Sequence, residues 1–289
     1  MEVSEYEELQ LLLEIIDLKK DILKMIYQAQ SGHPGGSLSC VNIIYLLYDK
    51  IMKIDRKNPG WEDRDIFILS KGHAAPALYA VLSKIGYIKR GDLFTLREFL
   101  SSIQGHPIKN LGIGVEISTG SLGMGLSIGV GCALAAKLDR KDNNIFVLLG
   151  DGELNEGAIW EAAMSASHYK LDNLITIVDR NGIQIDGSTE EIMALEPLAE
   201  KWKSFGWEVI EVDGSNVNEI LSGFEKSKKV IKKPKVIISY LIKGSEVSFM
   251  EHTKKFHGRA PSKEEFDKAI RELEKIKQNL VGVNGSKEP

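Results

Sequence analysis

The sequence predicts an α/β fold, in which a doubly wound, mostly parallel sheet is covered by helices on both faces. Short, nearly continuous apolar segments, typical of buried parallel strands, alternate along the chain with segments whose apolar residues recur at helical spacing. Neither an internal repeat nor a low-complexity linker interrupts the 289 residues, of which 43% are hydrophobic. We therefore expect one domain spanning residues 1–289.

The helical segments are read from apolar periodicity and from residues that start or stop a helix. The first is expected over residues 5–30, and it should end at Ser31–Gly36, because glycine and proline do not continue a helix. A glycine-rich segment then opens a helix that continues to Leu138. The other helices are expected at about 39–52, 74–85, 157–168, 194–205 and 217–229.

The strands are expected where apolar runs lie between these helices. They cover residues 65–69, 145–149, 174–178, 207–212 and 236–241, and the last of them closes the series. Residues 282–289 are polar and contain glycine, so we expect a frayed tail there.

Composition and charge exclude several classes of function. The net charge is −4 and the isoelectric point is near 6.0, so no nucleic-acid partner is expected; the basic residues Lys232, Lys233 and Lys235 only precede a strand. The N-terminus is polar and acidic, and no uncharged apolar stretch is long enough to span a membrane. We interpret Cys40 and Cys132 as buried, reduced thiols of a soluble cytoplasmic protein.

Oxygen ligands follow two neighbouring strands. The strand at 145–149 leads into Gly150-Asp151-Gly152, and the strand at 174–178 leads into Asp179-Arg180-Asn181-Gly182-Ile183. A carboxylate, a carboxamide oxygen and a backbone carbonyl suit Mg²⁺ or Ca²⁺, with phosphate oxygens and water as the remaining ligands. The residues between Gly152 and Asn181 number 28 (153 to 180), which is the spacing of a thiamine diphosphate fingerprint. Two ordinary turn loops are the alternative interpretation.

The segment Ser118–Gly125 contains three glycines before its helix, as a dinucleotide-binding loop would. That alternative requires a strand directly before the loop and an acidic residue at the end of the next strand. Here the preceding segment, Leu111–Ile117, is short and interrupted by glycine, and the next strand ends in the Gly-Asp-Gly loop. Nicotinamide binding is therefore disfavoured.

Four of the six histidines lie beside glycine or proline in predicted loops. They are His33, His73, His106 and His257, and we interpret this set as functional. His168 lies on a predicted helix and His252 in a polar loop, where a structural role is the simpler interpretation.

These residues belong to stretches in which the chain resembles the N-terminal half of transketolase over about residues 10–270. The stretches are SGHPGGSLS at 31–39, LSKGHAAPALYA at 69–80, GHP at 105–107, GVEISTGSLGMGLSIGVG at 114–131, GDGELNEGAIWEAA at 150–163, DNLITIVDRNGIQIDG at 172–187 and FHGRAP at 256–261. The resemblance implies the thiamine diphosphate-binding fold and the separately encoded N-terminal subunit of a split transketolase. The pyrimidine-binding and C-terminal domains would then be supplied by a partner chain.

The resemblance also implies a cofactor site. Asp151, Asn181 and the carbonyl of Ile183 would bind a divalent metal (Mg²⁺, or Ca²⁺ or Mn²⁺) that bridges the diphosphate of thiamine diphosphate. Gly152 would approach the diphosphate through its backbone, and Ile185 would pack near the aminopyrimidine. The remaining implied contacts to the cofactor come from Gly120, Ser121, Leu122, His73 and His257.

For the substrate, the resemblance implies that His33, His106 and His257 contact the sugar and that Glu156 couples paired active sites. The implied catalytic residues are thus His33, His73, His106, His257 and Glu156. The chain departs from the family where Ser121 replaces a frequent proline and Lys71 a frequent asparagine. Lys71 would either add positive charge near the diphosphate or point to solvent.

The expected reaction is the transfer of a two-carbon ketol unit between sugar phosphates. The glutamate that activates the cofactor lies, in the family, on the pyrimidine-binding domain, so this chain should act only with its partner, as two copies of each. The apolar helix after Gly120 would line that interface or be buried in its own domain. The alternatives are a deoxyxylulose-phosphate synthase-like or 2-ketoacid-decarboxylating subunit, and a non-catalytic binding protein.

Overall fold

Five parallel strands form one sheet at the centre of the computed structural model, which describes residues 3–285. The sheet order is β1-β2-β3-β5-β4, and every neighbouring pair is parallel. The strands are β1 (Ile66–Leu69), β2 (Ile145–Gly150), β3 (Leu174–Arg180), β4 (Glu208–Asp213) and β5 (Lys235–Tyr240). The predicted fold class is confirmed.

Helices cover both faces of this sheet. On one face lie α1 (Glu5–Ala29), α2 (Pro34–Leu46), α3 (Ala75–Lys84), α8 (Val217–Lys228) and α9 (Lys263–Gly285). On the other lie α4 (Met124–Leu138), α5 (Gly157–His168) and α7 (Leu198–Ser204), and the short α6 (Thr189–Ile192) follows β3. Within residues 3–285, the structure contains no helix long and apolar enough to cross a membrane.

The alternation of side chains along β2 explains why its sequence is continuously apolar. Phe146 and Leu148 pack into the core beneath α1, α2 and α3, whereas Ile145, Val147 and Leu149 pack beneath α4 and α5. Both faces of the strand are therefore buried, as is usual in parallel sheets. Because all strands run in one direction, the loops after β1, β2, β3 and β5 meet at one edge.

Each predicted strand is present, but two predicted helices need correction, and helices α6 and α9 were not predicted. The second helix begins at Pro34 and not near residue 39, because proline at the first helical position needs no hydrogen-bonded N–H. The helix expected at 194–205 covers only Leu198–Ser204, after Pro197. The C-terminal helix α9 was not predicted, and it includes 282–285 of the expected frayed tail; residues 286–289 of that tail lie outside the described part of the chain.

The two cysteines differ in burial. Cys40 on α2 is completely buried, as predicted, whereas Cys132 on α4 is only partly buried, so the prediction for Cys132 was wrong. Both are free thiols. Helix α4 itself divides its apolar residues, since Leu126 and Val130 are buried against the sheet while Met124 and Leu138 are exposed.

Candidate active site

A cavity of about 250 Å³ opens at the edge where the carboxyl ends of the strands meet. The loops after β1, β2, β3 and β5 contribute to it, together with the first turn of α2. Its walls bring together residues that are widely separated in sequence, namely His33, Gly36, Lys71, His73, His106, Gly120, Leu122, Gly150, Asp151, Gly152, Glu153, Asn181, Ile183, Gln184, Ile185, Lys243 and His257.

Four histidine rings converge on one side of this cavity. The ring centroid of His33 lies 5.2 Å from that of His73, 5.5 Å from that of His257 and 6.3 Å from that of His106. His73 and His257 are 5.3 Å apart. His33 is the residue before α2, His73 lies in the turn after β1, and the other two lie in long loops. The loops therefore assemble the histidine set singled out from the sequence.

The cavity favours the neutral form of these histidines. Burial, with the positive charges of Arg97 and Lys243 and the neighbouring His106, lowers the pKa of His33 to about 4. Burial and Lys243 lower the pKa of His257 to about 3. The pKa values of His73 and His106 are also lowered, chiefly by burial. Neutral imidazoles can both donate and accept a proton, which suits hydrogen bonding to hydroxyl groups.

The predicted metal ligands lie together in the same cavity. Oδ1 of Asp151 accepts a hydrogen bond from the Gly152 N–H at 2.8 Å, and Oδ2 accepts one from the Gly182 N–H at 2.6 Å. Oδ1 of Asn181 accepts a bond from the Ile183 N–H at 3.2 Å. Asp151 is only 2% exposed, so it belongs to the buried floor of the site.

Two buried lysines also line this cavity. Lys243 donates to the Ile183 carbonyl at 2.8 Å and contacts Nδ1 of His257 at 2.9 Å. Burial and the charge of Lys71 lower the pKa of Lys243 to about 8. Lys71 is 1% exposed and pairs with Asp179, so the alternative that it points to solvent was wrong. Burial opposes its charge, but the Asp179 carboxylate outweighs burial and raises the pKa of Lys71.

Glu153 is a site residue that the sequence reasoning missed. Its buried carboxylate accepts hydrogen bonds from the Gly123 N–H at 2.9 Å, the Gly150 N–H at 3.0 Å and the Ser70 hydroxyl. It thereby ties the glycine-rich loop before α4 to the ends of β1 and β2. Burial raises the pKa of this carboxyl group. Lys243 was also missed, although a lysine followed by glycine just after a strand at this edge was a usable signal.

The glycine-rich loop reaches the histidines. Gly120 has a φ of 150°, and a Cβ added there would lie 3.1 Å from the ring of His106. Leu122 lines the cavity, but Ser121 is exposed and is not among the lining residues. Glu156 is likewise exposed outside the cavity, where it packs against Gly123.

Other predicted positions lie at the rim or away from the site. Ile185 lines the cavity opening and is 61% exposed. His168, at the end of α5, and His252 are exposed and are not among the cavity residues. Among the described residues there is no group of three or more histidine, cysteine or acidic side chains that could hold a metal. The predicted metal ligands are one carboxylate, one amide oxygen and one backbone carbonyl, so they would not form such a group of three side chains.

Comparison with protein families gives a match over most of the chain. Residues 15–279 match the family model described as transketolase, thiamine diphosphate binding domain. The match includes all the loops that form the cavity.

Individual relatives agree with this match. The chain is 44% identical over 269 residues to one of the subunits of the apulose-4-phosphate transketolase of Phocaeicola vulgatus, covering 93% of this chain and 95% of that protein. It is 45% identical over 258 residues to a 6-deoxy-6-sulfo-D-fructose transketolase subunit of a Clostridium species, covering 89% and 94%. The crystal structure of Campylobacter jejuni transketolase superposes with a TM-score of 0.83 at 33% identity, covering 95% of this chain and 43% of that one.

Proposed function

The chain belongs to the transketolase family and carries its thiamine diphosphate-binding domain, and from this premise we propose its reaction, cofactors and partner. It is the N-terminal subunit of a split transketolase, a transferase. We propose that it transfers a two-carbon ketol unit reversibly from a ketose phosphate to an aldose phosphate. The observation that carries this proposal is the convergence of four histidine rings with Asp151 and Asn181 in one cavity.

The residues present fit a divalent metal and a diphosphate. Oδ1 of Asp151, Oδ1 of Asn181 and the Ile183 carbonyl offer three oxygens, each with a lone pair left beyond its hydrogen bond within the chain. Oδ2 of Asp151 accepts from both the Gly182 N–H and Arg180. Such hard oxygen donors suit Mg²⁺, with Ca²⁺ or Mn²⁺ as substitutes. The ammonium group of Lys243 would supply compensating charge for a diphosphate, whereas the charge of Lys71 is already paired with Asp179.

We assign the cofactor contacts to two glycines of the cavity wall and to residues at the cavity rim. Gly152 and Gly120 have no side chain between their backbone and the cavity, so a ligand can approach closely. Leu122 and Ile185 provide apolar contact for the rings, and His73 and His257 face the diphosphate. Ser121 and Glu156 lie outside the cavity, so their proposed roles, cofactor contact for Ser121 and coupling between paired sites for Glu156, rest on the resemblance to the family.

When bound, thiamine diphosphate would supply a nucleophilic carbon and an electron sink for cleavage of the ketose C–C bond. The chain's own histidines act on the sugar. His33, His106 and His257 are held neutral by burial, so His33 and His106 can each donate to one hydroxyl and accept from another while a proton moves. Nδ1 of His257 contacts the ammonium group of Lys243, which leaves Nε2 of His257 to donate to a hydroxyl. Nδ1 of His33 is buried and has no hydrogen-bond partner within residues 3–285, which leaves it available to a substrate oxygen.

A partner subunit must supply the rest of the site. Ile185 lines the cavity opening and is 61% exposed, where the aminopyrimidine half of the cofactor would project. We propose that a chain carrying the pyrimidine-binding and C-terminal domains covers this opening. Two copies of each chain would form the enzyme. The free thiols of Cys40 and Cys132 are consistent with the reducing environment of the cytoplasm, where we place it.

Co-expression with the candidate partner tests the proposal. The purified complex should transfer glycolaldehyde from a pentulose phosphate to an aldose phosphate, with strict dependence on thiamine diphosphate and a divalent metal. The sugars named for two relatives carry a phosphate or a sulfonate, so a sulfonated ketose should be assayed in parallel. A complex that binds the cofactor but decarboxylates a 2-ketoacid, or turns over no ketose, would contradict the proposal.

A further inference from the structure

Asp179, the sixth residue of β3, contacts both side-chain ligands of the proposed metal site. Its backbone carbonyl accepts a hydrogen bond from the Asp151 N–H at 3.2 Å, and its Oδ1 accepts one from Nδ2 of Asn181 at 3.1 Å. The side chain is completely buried. It is not among the residues that line the cavity, so its influence on a ligand is exerted through its neighbours.

The contact to Asn181 selects one of two orientations of the amide. An ionised carboxylate only accepts hydrogen bonds, so Asp179 receives the NH₂ end of the Asn181 side chain. The oxygen end then lies on the other side, where it accepts from the Ile183 N–H at 3.2 Å. A flipped amide would place two acceptors together at Asp179 and two donors together at Ile183. Only the observed orientation presents an oxygen to a metal.

The carboxylate of Asp179 is itself fixed from α2 and from the loop after β1. Its Oδ2 accepts hydrogen bonds from the Ser39 hydroxyl at 2.6 Å and from the ammonium group of Lys71. Lys71 also donates to the Gly36 carbonyl at 3.0 Å. An unpaired charge at this depth would cost several kcal/mol, so the pair must form or be lost together.

We propose that Asp179 is a positioning residue that turns the amide oxygen of Asn181 toward the divalent metal, with Lys71 as its counter-ion. The inference rests on the proposed function, because it concerns the metal site of that cofactor. It predicts that metal affinity depends on a buried carboxylate that touches neither metal nor cofactor. Second-sphere partners of this kind typically change metal affinity about 10- to 100-fold.

Three variants test the proposal in the reconstituted complex, by titrating Mg²⁺ against thiamine diphosphate binding in a calorimeter. Asp179→Asn, which can present either end of its own amide, should weaken Mg²⁺ binding at least about tenfold. Ser39→Ala, the matched control, removes another hydrogen bond to Asp179 but leaves the Asn181 contact, so the change should stay below about threefold. The exchange variant Lys71→Met/Asp179→Asn/Asn181→Asp leaves no unpaired ammonium group, restores a donor–acceptor pair and presents a carboxylate oxygen whichever way it turns. It should bind Mg²⁺ at least as tightly as the wild type.

The exchange variant separates positioning from a merely structural role. If Asp179 only held Lys71 and β3 in place, the exchange would bind Mg²⁺ as poorly as Asp179→Asn, and the proposal would be overturned. It would also be overturned if Asp179→Asn bound Mg²⁺ within about threefold of the wild type. If circular dichroism shows that Asp179→Asn does not fold, the double variant Lys71→Met/Asp179→Asn takes its place, because it leaves no unpaired buried charge. Wild-type binding that is independent of metal would instead contradict the proposed function.

Discussion

Replacing Asp151 with alanine should abolish metal-dependent cofactor binding and also destabilise the chain moderately. The carboxylate is the one charged ligand of the proposed metal site, so its loss should weaken Mg²⁺ binding by more than the roughly 100-fold upper range seen for second-sphere changes. The Gly152 and Gly182 N–H groups lose their acceptor, and each buried unsatisfied donor costs about 1–3 kcal/mol. Relief of the repulsion between Asp151 and Asp179 offsets part of this cost.

The net destabilisation should therefore be about 2 kcal/mol, which lowers the melting temperature by roughly 4–8 °C. Calorimetric titration of thiamine diphosphate and Mg²⁺ into the complex measures the affinity, and thermal unfolding measures the stability. Asp139→Ala, at an exposed aspartate after α4, is the matched control and should change neither. Unchanged cofactor affinity in a folded Asp151→Ala complex would refute the assignment of Asp151 to the metal.

Three further predictions concern the histidine side of the cavity. His106→Ala should lower donor turnover far more than cofactor affinity, because His106 is assigned to the sugar and is the exposed member of the four-histidine set; an equal fall in both, measured by kinetics and calorimetry, would contradict its role. Lys243→Met should raise the pKa of His257 in an NMR titration, since it removes the neighbouring positive charge that adds to the effect of burial; an unchanged pKa would be evidence against their contact. In the folded chain the pKa of His33 is about 4 and that of His257 about 3, whereas both should be near 6.5 in the unfolded chain. Between these values the folded chain binds fewer protons than the unfolded chain, so the free energy of unfolding should fall as the pH decreases from about 6.5 to about 3. A His257→Asn variant should show a flatter profile in denaturant titrations at several pH values, and an identical profile would be evidence against the lowered pKa.

The sheet was predictable because its strands are buried on both faces. Residues 145–149 are apolar without interruption, and this pattern together with the intervening helices defines a parallel sheet. The C-terminal helix was missed, although Phe266, Ala269, Leu273 and Ile276 recur at helical spacing. Its many charges conceal a narrow apolar face, which becomes clear only when that face is seen packed against α1.

The candidate site was predictable where a recognisable sequence motif lies in a loop directly after a predicted strand. Glycines and histidines in loops after strands could be found from the sequence, because parallel strands bring such loops together. Glu153 and Asp179 could not be assigned roles, since an acidic residue beside a motif looks the same whether it is exposed or buried. Their function depends on backbone N–H groups and side chains that only the folded chain brings within hydrogen-bonding distance.

The central claim is that this chain holds the diphosphate end of a cofactor whose other end is completed by a partner subunit. Light scattering with a parallel assay of ketol transfer, on the chain alone and mixed with the pyrimidine-domain chain, tests it most directly. We expect no transfer by the chain alone, and transfer by a particle with the mass of two copies of each chain. Full activity of the chain alone, or a chain that stays monomeric with its partner present, would contradict the claim.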